Sequence, residues 1–198
     1  MATFSKTQGT SVLSLQSVSA NSVLISSAID VSTKIAGSLF IHFGRQSATA
    51  AGAGVRIRIE ASSKSSADGQ WYPLAMFETN FAAVESEAVS GAVNSGTNVI
   101  TVASTTNLAA NDIIFINNGT IGNSEWGRIK SISTNASVTI EDNLVNAQTG
   151  ATIYDGAEMY VANLKLESIG RLRVVADGSS FTQAFAIEAY IITTDSIG

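Results

Sequence analysis

Apolar and polar residues alternate with a period of two along most of this chain, and almost nowhere with the period of a helix. Val55, Ile57 and Ile59 alternate with Arg56, Arg58 and Glu60, and Leu39, Ile41 and Phe43 with Ser38, Phe40 and His42. Residues 12–19 follow the same rule, with Leu13 and Leu15 facing away from Ser14 and Gln16. Such a pattern predicts half-buried strands. Further strands are expected at 71–78, 82–89, 98–102, 112–116, 126–133, 137–141, 159–167, 171–176 and 181–193, separated by Gly, Asn, Asp and Ser clusters. Only 80–89 has any helical alternative, and its Val/Ser/Gly ending weakens it. The expected class is all-β.

Composition shifts near Gly91 and again near Gly156. Ten of the thirteen Asn lie between these points, with Arg128 and Lys130 as the only cations, so the segment carries −3 of the net −5. Its short apolar runs recur at roughly 12-residue spacing, which suits a small barrel. The expected organisation is therefore a jelly-roll-like β-sandwich from 1–89 and 157–198, interrupted by a small β-barrel at 90–156. The strands at 82–89 and 159–167 are expected to pair, with the barrel inserted at their shared turn. A chain of 198 residues can bury a core of this size without staples.

Reactive chemistry is sparse. With no Cys and one His, the chain has no thiolate nucleophile, no thiolate metal site and no His-pair metal site. His42 lies in an apolar strand, and no Gly-x-Ser-x-Gly elbow exists to complete a triad. It is expected to be a packing residue with one satisfied nitrogen. Glu85 with Glu87, and Glu141 with Asp142, are the carboxylate pairs, read as solvated edges or interface pairs rather than as a glycosidase pair. Asp155-Gly and Asp177-Gly are read as turns rather than calcium loops, and Gly52-Ala-Gly54 as a turn rather than a phosphate loop. The sequons at Asn118 and Asn135 are read as coincidental, because residues 1–20 show no leader. No catalytic, cofactor or metal residues are expected. A pI near 4.8 opposes nucleic-acid binding, and no apolar run approaches the length of a membrane span.

The polar strand faces say more. Four of six Arg form two alternating units, Arg56 with Arg58 and Arg171 with Arg173. Three readings stand: solvated faces, subunit contacts in which Arg pairs with Glu60 or Glu188, and nucleic-acid contact, which the net charge opposes. Trp71 is expected in the sandwich core, whereas Trp126 suits a partner surface as well as burial. Residues 2–8 are expected to form an arm across a neighbour, hinged at Gly9.

The segments AIDVST (28–33), LFIHFGR (39–45), VRIRIEAS (55–62) and WYPL (71–74) together resemble virion structural proteins of tailed bacteriophages. The segments ITVAST (100–105) and DIIFI (112–116) look like small barrels of phage head and tail proteins, and RLRVV (171–175) and FTQAFAIEAY (181–190) belong to the same pattern. The chain resembles most a capsid cement or decoration protein. That resemblance implies a non-enzymatic homotrimer, made in the host cytoplasm and seated on the major capsid protein at the virion surface. It offers no catalytic residues to carry over, and with the charge and apolar-run arguments above the expected partners include no cofactor, no nucleic acid and no membrane. The alternatives are a tail, baseplate or fibre component, or a glycan-binding β-module.

Overall fold

The alternation read from the sequence becomes strands throughout the computed structural model, which describes residues 9–48, 54–66, 70–79 and 83–195. Nine strands build the sandwich: β1 (Thr10–Val18), β2 (Val23–Ile25), β3 (Ile29–Asp30), β4 (Lys34–Arg45), β5 (Arg56–Ser62), β6 (Tyr72–Glu78), β15 (Glu158–Lys165), β16 (Arg171–Asp177) and β17 (Phe185–Asp195). One sheet runs β1-β17-β4-β15, and the other β2-β16-β5-β6, with β3 also beside β16. Every pairing is antiparallel. Apart from the short step from β2 to β3 and the β5–β6 hairpin, each connection passes from one sheet to the other. That order of two interlocked Greek keys is a jelly roll.

The inward residues are those the alternation selects. Leu39, Ile41 and Phe43 of β4, Ile57 and Ile59 of β5, and Phe185, Ile187 and Ile191 of β17 are essentially inaccessible. Each such side chain contributes about 1.5–3 kcal/mol over the exposed state. Phe43, Phe181 and Phe185 meet in tilted and edge-on pairs at one end of this core.

The segment between β6 and β15 has its own core. It contains β7 (Ser86–Ala88), β8 (Ala92–Val93), β9 (Val99–Thr101), β10 (Ile113–Asn117), β11 (Glu125–Ser133), β12 (Ser137–Ile140), β13 (Gln148–Thr149) and β14 (Thr152–Tyr154). The six-stranded order is β7-β14-β10-β11-β12-β9, and β8 pairs β13. A bridge between Val89 and Val102 brings the two ends of the sheet together. Val89 N–H donates to Ala151 and Ser90 N–H to Thr101 on either side of that seam. Ile100, Ile114, Ile116, Ile129, Val138 and Ile153 fill the interior.

One expected pairing is not formed. Residues 86–88 pair with β14, while β15 pairs with β4 along its whole length. The chain therefore enters the barrel sheet at Ser86, earlier than expected. The physical reason is composition: Ser-Glu-Ala offers the sandwich no apolar face, whereas β15 supplies Tyr160, Ala162 and Leu164 to it. The arm expected over 2–8 lies outside the described residues, as do Gly52 and Ala53 of the turn expected at Gly52-Ala-Gly54. Among the described residues, 83–89 contain no helical turn.

Candidate functional site: two outer faces of the sandwich

Strand pairing decides where the Arg units go. Arg173 stands opposite Glu60, and Asp177 opposite Arg56, in the β16–β5 register. All four Arg therefore share the outer face of one sheet. Arg173 donates to Glu60 through Nη2 at 2.7 Å and Nε at 2.8 Å. Arg58 donates to Glu60 at 3.3 Å and to Asp177 at 3.2 Å. Arg56 reaches Glu78 only at 3.9 Å, and Arg171 donates to the Lys64 carbonyl at 2.9 Å. Glu60 is the least exposed member, so its two guanidinium partners act in a partly desolvated setting. The Asp177 carboxyl is held below the usual carboxylate range by the Ser179 hydroxyl and N–H, assisted by Arg58.

Trp71 is a correction. Expected in the core, it lies half-buried beneath this network, with the Arg173 guanidinium 4.2 Å and that of Arg171 5.1 Å from its ring centroid. Its position just before β6 puts the indole on the polar face, where cation–π attraction replaces core packing. The carboxylates pairing with Arg58 and Arg173 thus come from the same chain. Glu188, weighed above as an Arg partner, lies on the other sheet.

The outer face of that other sheet is built differently. Rows across β17, β4 and β15 read Glu188–His42–Met159, Tyr190–Phe40–Val161 and Ile192–Ser38–Asn163. Below the first row, Ala186 pairs with Gly44, and the barrel sits on both. Phe115 of β10 and Trp126 of β11 are cross-strand partners with ring centroids 4.6 Å apart. A Cβ on Gly44 would lie 2.7 Å from Trp126 and 2.8 Å from Phe115, so the close approach requires glycine. Ala157, Leu15, Ile113, Ile121 and Tyr154 complete the junction. Trp126 therefore has a partner within its own chain.

His42 is buried beside this junction. Its Nδ1 lies 2.7 Å from Glu188 Oε1, and its ring meets Trp126 and Tyr190 edge-on. One nitrogen is satisfied, as expected for a packing histidine. Farther along the face, Phe40 stacks on Tyr190 at 5.1 Å. A shallow groove of about 560 Å³ follows, lined by Ser38, Phe40, Asn163, Ile192 and Thr194 among others.

Glu85 and Glu141, one residue of each carboxylate pair, have partners within the barrel segment. Glu85 N–H donates to Asp155 at 2.6 Å, and Glu141 lies 3.7 Å from Arg128. Burial pushes the Asp155 carboxyl up, opposed by the Glu85 N–H and assisted by the Asp112 and Glu85 charges. No group of three His, Cys, Asp or Glu able to hold a metal occurs among the described residues. No helix among them is long and apolar enough to cross a membrane.

No protein-family model matches the chain, and no curated protein does. Among solved structures, it is similar to the conserved carbohydrate esterase vb_24B_21 from Shiga toxin-encoding bacteriophage phi24B, at 14% identity and a TM-score of 0.33. The match covers 98% of this chain and 90% of that one. A superposition that loose establishes neither a shared fold nor a shared activity.

Proposed function

We propose that this chain is a non-enzymatic virion structural protein of a tailed bacteriophage. In this reading it is a capsid cement or decoration protein that seats as a homotrimer on the major capsid lattice. It is made in the host cytoplasm and resides on the capsid surface. One observation carries the reading. On the sandwich, every well-exposed large apolar side chain among the described residues lies on an outermost strand. These are Val23 and Ile25 on β2, Tyr72, Leu74 and Met76 on β6, and Met159 and Val161 on β15.

Sheet edges are where solitary proteins place charge, proline or cover, and Pro73 is one such device on β6. Concentrated apolar side chains there favour contact with another protein. β6 and β15 form one flank, joined by Phe77 stacked on Tyr160 at 4.8 Å, and β2 lies on the opposite edge of its sheet. Identical subunits in a ring meet through two different surfaces, which suits this two-flank distribution. Weak contacts to a lattice then multiply through avidity. Jelly rolls serve many functions, so the edge distribution supports the reading more than the topology does.

Light scattering on the purified protein, with sedimentation against tailed-phage shells assembled without it, tests the proposal. A trimer that pellets with shells is expected. A clean monomer that stays in the supernatant contradicts it, and selective binding to tail preparations transfers the role to the tail.

A further inference from the structure

Asn118-Gly119 is the single Asn-Gly step in the sequence. At such a step the second residue lacks a Cβ, so its backbone nitrogen can close on the asparagine side-chain carbon. That makes it the most labile setting for a residue that is already thermolabile. The step follows directly on β10, with Asn118 half-buried and Gly119 exposed.

The fold occupies both groups that would react. Asn118 Nδ2 donates to the Ala147 carbonyl at 3.1 Å and to Gln148 Oε1 at 3.0 Å. Gly119 N–H donates to Asn117 Oδ1 at 3.0 Å, and Asn118 N–H to the Ser124 hydroxyl at 3.1 Å. Backbone carbonyls only accept, so they fix which way each amide points. Ala147 O takes Asn118 Nδ2, and Asn123 O takes Gln148 Nε2 at 2.9 Å. Gln148 is fully buried, and its Nε2 also donates to Glu125 Oε1 at 3.0 Å. The Glu125 carboxylate accepts in turn from the backbone N–H of Val145 at 2.8 Å and of Asn146 at 2.6 Å.

We propose that Asn118 is a latent deamidation site whose intact amide holds residues 117–124 against 145–148. In the reaction, hydroxide takes the Gly119 N–H proton and the nitrogen attacks Asn118 Cγ. The N–Cγ bond forms, the Cγ–Nδ2 bond breaks, and ammonia leaves with a proton from water. Water then opens the succinimide at either carbonyl, leaving aspartate or isoaspartate. The closed loop opposes this twice, by holding the leaving nitrogen on two carbonyls and the Gly119 proton on Asn117. Reaction therefore proceeds through local opening. The product cannot close the loop again, because its carboxylate only accepts and would face the Ala147 carbonyl and Gln148 Oε1. Turning the Gln148 amide over gives no relief. Its oxygen would then meet the Asn123 carbonyl and the Glu125 carboxylate in a buried setting. The proposal does not depend on the assembly role, and its test needs no capsid.

Peptide mapping by mass spectrometry provides that test, on the intact chain aged at mildly alkaline pH in native buffer and in guanidinium chloride. Asn118 is expected to convert first in the denaturant, and at least about tenfold more slowly in the folded protein. Another Asn reacting first in the denaturant, or equal rates in the two states, would overturn the proposal. Asn118→Asp carries the charge of the product from the start. In that variant the Val145 and Asn146 amides should lose hydrogen-exchange protection by at least about tenfold. Wild-type protection there would contradict the loop contact assigned to the amide. The aged wild-type chain decides both site and latency even if the variant fails to fold.

Discussion

The two outer faces of one sandwich are finished by opposite means. On β5 and β16, Glu60, Asp177, Arg58 and Arg173 neutralise one another over Trp71. On β17 and β4, apolar residues continue outward, and the barrel covers them at Gly44 and Ala186. A paired-charge face is nearly self-sufficient, whereas an apolar outer face requires a cover. The barrel supplies that cover over one end, and farther along the face Phe40 stacks on Tyr190.

This contrast sets an order of sensitivity. Phe115→Ala, at the fully buried centre of the junction, should cost about 3–5 kcal/mol. Calorimetry should show the loss, and two separate transitions would mean that the barrel melts apart from the sandwich. Gly44→Val should cost about 1–3 kcal/mol through overpacking, with crystallography showing Trp126 displaced. On the charged face, Glu60→Gln should cost about 1–2 kcal/mol, since two guanidiniums lose their shared carboxylate. Arg56→Ala, at a well-exposed 3.9 Å pair, should change stability by less than about 0.5 kcal/mol in denaturant titrations. If Arg56 mattered as much as Glu60, the network would not be organised around Glu60.

The smallest effects follow pH, and Asp177 on the charged face and Asp155 in the barrel differ in sign. Asp177 has a lowered folded value, so its contribution is present above the unfolded carboxylate range and is lost as pH falls through the folded one. Asp155, at the barrel entrance, is raised, so its contribution is present below the unfolded value and is lost as pH rises through the folded one. Asp155→Asn keeps an acceptor for Glu85 N–H and removes the repulsion. It should therefore hold or slightly raise Tm near neutral pH and flatten the pH profile between acid and neutral.

How much of this was legible follows from what alternation reports. It assigns residues to faces, so β4, β5, β16 and β17 and their inward side chains were readable from 39–43, 55–59, 171–176 and 185–191. It does not say what covers an outer face, because the cover arrives from about 80 residues away in sequence. Gly44 looks like any strand glycine until Phe115 stands on it. A signal did exist: Ile113–Ile-Phe–Ile116 is apolar at every position, the mark of a strand buried on both sides, as is the run around Phe40. The Arg units are visible in the sequence, but their grouping with Asp177 and Trp71 is not, since it takes the β16–β5 register and the position of Trp71 before β6 to bring these residues together. The position of Ser86 in the barrel sheet was illegible for a related reason. Three small or polar residues carry no pattern that selects one partner strand over another.

The reading as a lattice partner rests on the exposed apolar flanks, and one measurement reaches it directly. Sedimentation of Met76→Glu/Val161→Glu with empty shells, beside the wild-type chain, should leave the variant in the supernatant while its thermal transition stays at the wild-type temperature. Wild-type pelleting by a folded variant would contradict the account, because both side chains are more than half exposed and would then contribute neither to the fold nor to assembly.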